Sequence, residues 1–137
     1  MLTLPIRRKW FDMIMTGEKT EEYRDVKPYY TMRFRQFVSL NPDVPDCAVE
    51  DLFRRAAQMG GVKYRNVVLR NGYSWHSASM RISGRIMIRQ GRPEWGAAEG
   101  REYYVLTVDE SEVLNPGIPA TKPERITKNT GGKKACC

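Results

Sequence analysis

Between Met80 and Ile88 the side chains alternate without a break. Met80, Ile82, Gly84, Ile86 and Ile88 fall on one side, and Arg81, Ser83, Arg85 and Met87 on the other. A period of two belongs to a β-strand with one face in a core. Gly84 interrupts the apolar face in mid-strand, where a missing side chain suits a bulge or a close backbone approach, and so a sheet that bends. One strand is not stable alone, so the remaining sequence must supply its partners.

The partners are legible in turn. Leu2, Leu4 and Ile6 alternate in a short opening strand that Pro5 confines to a sheet edge or strand end. Residues 62 to 69 read as a strand ending on an Asn71-Gly72 turn signal. Residues 102 to 108 set Tyr104, Leu106 and Val108 opposite Tyr103, Val105 and Thr107, and Val113 with Leu114 suggests one more short pairing. Two segments have helical spacing instead. Residues 7 to 16 present Trp10, Phe11, Met13 and Ile14 before Gly17, and residues 46 to 59 present Val49, Leu52, Phe53, Ala56 and Met59 before Gly60-Gly61. Pro28 is read as a strand breaker, and residues 31 to 40 as ambiguous, with Met32, Phe34 and Val38 on a strand face opposite Arg33 and Arg35. Residues 73 to 79, with Trp75 and His76, and residues 90 to 100 read as loops. The order predicts an α+β fold with a curved or barrel-like sheet.

Length and composition set the frame. The 137 residues, 41% of them hydrophobic, suit one domain over 1–114. From Asn115 the apolar pattern gives way to a basic tail, 115–137, expected to be flexible. Within it Lys122, Arg125, Lys128, Lys133 and Lys134 stand against Glu124 alone, more than half of the net +7. A basic balance favours anionic partners. No apolar run reaches the length of a membrane span, so a cytoplasmic protein without membrane contact is expected. Three cysteines and His76 alone offer neither a disulfide framework nor a metal-ligand spacing, so neither metal nor cofactor is expected.

The chemistry concentrates in residues 17 to 24, Gly-Glu-Lys-Thr-Glu-Glu-Tyr-Arg. If Gly17 closes the first helix and a strand follows, Thr20, Glu22 and Arg24 share one face, and Lys19 at the joint can swing back over it. The result is one hydroxyl, one carboxylate and two cations beside a helix end. Arg7, Arg8 and Lys9 crowd the first turn of that helix, where the dipole disfavours cations, which hints at an anion nearby.

Taken together, the opening strand, the helix with Trp10 and the Gly-x-Lys-Thr-x-Glu-x-Arg motif resemble the start of ASCH domains (activating signal cointegrator homology). Asn71-Gly72-Tyr73, Glu94-Trp95-Gly96-Ala97 and the strand from Tyr103 to Val108 resemble that family's later segments. The resemblance implies a PUA-like barrel with the first helix packed across one opening and an inserted helix at about 46–60. It implies binding of RNA or a modified nucleoside in a cleft between the first helix and the barrel. It also implies an alternative, because some small ASCH proteins are amidohydrolases acting on N4-acetylcytidine. Lys19 and Arg24 match that motif's lysine and arginine, while Glu22 stands where its catalytic threonine would be.

The expected ligand-binding residues are therefore Lys19, Thr20, Glu22 and Arg24, with Trp10, Tyr73 and Trp95 as stacking candidates. Arg7, Arg8, Lys9, Arg81 and Arg85 are candidates for nucleic-acid backbone contacts. In the hydrolase alternative Lys19, Glu22 and Thr20 would carry the chemistry. In a third reading the charged group only braces the helix against the barrel, and the protein is an adaptor for a protein partner.

Overall fold

The computed structural model describes residues 1–38, 41–73 and 76–117. The elements are strand β1 (Leu2–Pro5), helix α1 (Arg8–Met15), strand β2 (Glu21–Asp25), helices α2 (Pro28–Phe34) and α3 (Asp46–Ala56), and strands β3 (Val62–Asn71), β4 (Ala78–Gln90), β5 (Glu102–Thr107) and β6 (Glu110–Asn115). The architecture is α+β: a curled six-stranded sheet forms a half-barrel, accompanied by the three helices.

β4 is the axis of the sheet. The path runs β1-β3-β4-β5-β2, parallel only between β1 and β3. β5 pairs with residues 86–90 of β4, and β6 continues along the same edge at residues 79–83. Gly84 marks the split. A methyl group there would lie 2.1 Å from the Thr107 carbonyl oxygen, so only glycine lets the β5–β6 connection cross β4.

The inward residues of β4 join Leu4, Phe11, Phe34, Phe53, Tyr64 and Tyr104 in the main core. β3 keeps its apolar side inward through a bulge. The register slips between Tyr64 and Val67, so the inward positions change parity, and Asn66 takes a left-handed φ of 60°. A smaller cluster of Tyr23, Met87, Tyr103 and Val105 lies on the other face.

β2 ends at Asp25, before Pro28 as expected, and Pro28 goes on to open a helix; the ambiguous segment is settled as helical over residues 31–34, not as a strand face. Proline suits the first helical turn, where its missing N–H would have had no partner. Phe34 is buried as expected, but Met32 is exposed. Asn115, the first residue of the expected tail, still belongs to β6; residues 118–137 lie outside the described residues.

Candidate functional site

The turn after α1 sets the site. Gly17, at φ 85°, reverses the chain, and the Lys19 N–H then donates to the Met13 carbonyl (2.9 Å), tucking residue 19 under the helix. Lys19 Nζ reaches Glu22 Oε1 at 2.5 Å. Glu22 and Arg24 pair in register with Leu106 and Tyr104 of β5, so both side chains face the concave side of the sheet. Arg24 donates to the second Glu22 oxygen, to the Tyr23 carbonyl (2.8 Å) and to the Pro5 carbonyl. Pro5 belongs to β1 and Arg24 to β2, the two ends of the five-strand path. The arginine thus spans the seam of the half-barrel.

This network is closed. Lys19 and Glu22 are 1% and 3% exposed. Burial pushes the Lys19 ammonium below its ordinary pKa, and the Glu22 carboxylate pulls it back only in part. The ammonium also lies 5.1 Å from the centre of the Trp10 ring and 5.3 Å from that of Tyr23.

Above the network, the 91–97 loop meets α1. A methyl group on Gly91 would lie 2.7 Å from the Tyr23 ring, and one on Gly96 would lie 3.0 Å from the Trp10 ring, so the loop packs flat on both aromatics. The Arg92 N–H donates to the Tyr23 hydroxyl (2.9 Å), which donates to Glu21 Oε1 (2.7 Å). Arg89 holds the same carboxylate at 2.5 Å. Burial pushes the Glu21 carboxyl up, but the Arg89 and Tyr23 bonds outweigh it and hold it below the ordinary range. Each tryptophan at this rim carries a cation: Lys9 lies 4.7 Å from the Trp10 ring centre, and Arg92 lies 4.9 Å from that of Trp95.

The structure therefore brings Lys19, Glu22, Arg24, Trp10 and Lys9 to one end of the half-barrel, while Trp95, on the loop that meets α1, packs against the Tyr23 cluster of the other face. Thr20 is exposed, and its backbone carbonyl accepts from Val108 (2.8 Å). Arg7 is exposed, while Arg8 pairs with Asp12 at 3.0 Å. Tyr73 is almost wholly exposed beyond β3, and Trp75 lies outside the described residues. Arg81 and Arg85 line a separate groove. Arg92 and Tyr23 were given no role by the sequence; for Arg92 the signal was its place beside Gly91, while for Tyr23 there was none, because Gly91 meets its ring only through the fold.

Among the described residues no three His, Cys, Asp or Glu side chains group as metal ligands, and no helix is long and apolar enough to cross a membrane. No protein-family model, curated protein or solved structure matches the chain.

Proposed function

We propose that the chain is an ASCH-like domain, its half-barrel of the PUA-like kind, that binds RNA or a modified nucleoside at the rim where α1 meets the 91–97 loop. The observation that carries the reading is the cation-capped Trp10 with Lys9, onto whose ring Gly96 seats the loop that carries Trp95 and its own cation, Arg92. Bases stack on aromatic rings and on guanidinium planes, and neighbouring cations meet phosphates. Lys19, Glu22 and Arg24 form the floor. Two cations around one carboxylate leave a net positive charge beneath Trp10, and the network fixes the ring against which a base stacks.

The test is a tryptophan-fluorescence titration with cytidine, N4-acetylcytidine and a short single-stranded RNA at two salt concentrations. Trp95→Ala should weaken RNA binding by ~1–3 kcal/mol, the range for one stacked base. Lys9→Ala should lower the salt slope by about one, as expected for one lost phosphate contact. Wild-type protein that binds none of these at low salt would overturn the reading and leave the network as a brace in an adaptor.

One observation favours a second reading. Burial moves Lys19 toward the neutral amine that proton transfer requires, beside Glu22. Acetate release from N4-acetylcytidine, abolished by Lys19→Ala, would establish a hydrolase with Lys19, Glu22 and Thr20 as its residues. Intact nucleoside after incubation would dismiss it.

A further inference from the structure

A groove of about 820 Å³ lies where β3, β4 and the start of β6 meet. Its lining includes Lys63, Arg65 and Arg85 and also Asp109 and Glu110. Lys63 and Arg85 are directly opposite each other in the β3–β4 ladder, a placement in which like charges repel. The bulge after Tyr64 leaves Arg65 and Asn66 exposed beside them. Among the described residues none of these three cations joins an ion pair, and neither do Asp109 and Glu110. By contrast Arg81, in the same groove, is neutralised by Glu112 at 2.6 Å.

Apart from that pair, charges of opposite sign share this lining without pairing, and the strands beneath them are held by hydrogen bonds. The Tyr64 hydroxyl donates to the Thr107 carbonyl (2.7 Å), the Arg85 N–H donates to Thr107 Oγ1 (2.9 Å), and the Asp109 N–H donates to the Ser83 carbonyl (2.9 Å). The Ser83 hydroxyl also donates to Glu110 Oε1 at 3.2 Å. Gly84, pressed against Thr107, fixes the crossing at the base of the groove.

We propose that this groove is a second binding site, for a ribose-phosphate: a free ribonucleotide or one residue of an RNA strand. Three unpaired cations match a phosphate, which prefers charge-assisted donors. The two carboxylates in the same lining can accept from neighbouring hydroxyls, as acidic side chains do toward ribose. The volume suits a ligand of that size. The one aromatic residue in the lining, Tyr64, is buried, so the base itself is not stacked there and recognition is independent of base identity. The sugar hydroxyl on which these carboxylates act is the one that distinguishes RNA from DNA. This site stands apart from the tryptophan rim and does not rest on the reading of it.

The test uses the full chain and five probes: uridine monophosphate, deoxyuridine monophosphate, a short oligouridylate, its deoxy counterpart and inorganic phosphate. Calorimetry should show uridine monophosphate binding more tightly than the deoxy form. Lys63→Ser with Arg65→Ser should weaken it about tenfold or more, the loss expected for charged donors. Asp109→Asn with Glu110→Gln should erase the ribose preference while leaving, or raising, affinity for inorganic phosphate. All four positions are exposed, so these variants keep the fold. If the oligouridylate also weakens in the Lys63/Arg65 variant, the strand uses the same groove; if only the free nucleotide weakens, the source is the free nucleotide. The proposal is overturned if uridine monophosphate does not bind wild-type protein. Equal binding to wild type and both variants, or loss of all binding in Trp95→Ala alone, would overturn it as well.

Discussion

Replacing Glu22 with glutamine tests how much the buried network holds. The carboxylate is the partner of two cations, but they depend on it unequally. Arg24 keeps its bonds to the Tyr23 and Pro5 carbonyls, whereas among the described residues Glu22 is the one side chain that hydrogen-bonds the Lys19 ammonium, which is 1% exposed. Breaking one side of a buried pair costs ~3–5 kcal/mol. Shedding the Lys19 proton near pH 7 sets an upper limit of about 4.6 kcal/mol, from an unfolded pKa of about 10.4 and 1.36 kcal/mol per unit. We therefore expect a loss of about 3–4 kcal/mol at neutral pH. The pH dependence has a definite sign. In the variant the folded lysine binds fewer protons than the unfolded one until pH nears the ordinary lysine value, so its stability rises with pH. The deficit against wild type should shrink toward about pH 10. Urea unfolding at about pH 7 and about pH 9.5, followed by tryptophan fluorescence, measures both. A loss under about 1 kcal/mol, the value of an exposed pair, would refute the argument. So would a deficit equal at the two pH values.

Gly84→Ala should lower the melting temperature through a loss of ~1–3 kcal/mol or more, because its methyl meets the Thr107 carbonyl at 2.1 Å; an unchanged melt would show that the crossing is not tight. Tyr104→Phe removes a buried bond to Thr31 Oγ1 (2.6 Å) and should cost about 1–3 kcal/mol in urea unfolding. Burial pushes that phenol up to about 12, so the cost should not vary from neutral pH to about pH 10, and a change across that range would count against it. Glu21 is held below its ordinary 4.5, so its contribution is complete above that value and lost as pH falls through its folded pKa. Glu21→Gln should therefore be less stable than wild type at neutral pH and less acid-sensitive below about pH 4.5; parallel acid titrations by circular dichroism would refute this.

β1 and β4 were legible because burial alternates along them, whereas β5 is buried on both faces and was legible from its run of apolar and aromatic residues. β3 was legible as a strand but not in its facing, since Tyr64, Val67 and Leu69 share one side only through a bulge. The α2 segment misled because Met32, Phe34 and Val38 fit a period of two, while Tyr30, Thr31 and Phe34 fit a helical one; tertiary packing on Tyr104 favours the second. At the site, the return of Lys19 over Glu22 followed from a glycine and three residues of spacing. The reach of Arg24 to Pro5 did not, because it depends on the sheet curling until β1 and β2 approach. The meeting of Trp10 with Gly96 is equally non-local. A pattern of neighbours records which face a residue takes, not which distant element arrives there.

The seam raises a last question: why charges stand where apolar residues would serve. Replacing a buried ion pair with well-packed apolar groups is often neutral or stabilising by ~1–4 kcal/mol, so stability alone does not call for Lys19 and Glu22. Under the proposed function the lysine remains because it places positive charge 5.1 Å from the Trp10 ring centre, beneath a ligand that carries phosphate. The double variant Lys19→Met/Glu22→Gln separates the two roles. It leaves no unpaired lysine, and the glutamine still offers Arg24 an acceptor, so its stability should return to within about 1 kcal/mol of wild type. Its affinity for short RNA should nonetheless fall about tenfold, the weight of one charged contact. Equilibrium unfolding and the fluorescence titration read the two effects on the same protein. A double variant as stable as wild type that also binds RNA as tightly would remove Lys19 from the binding site and leave the network as closure of the seam.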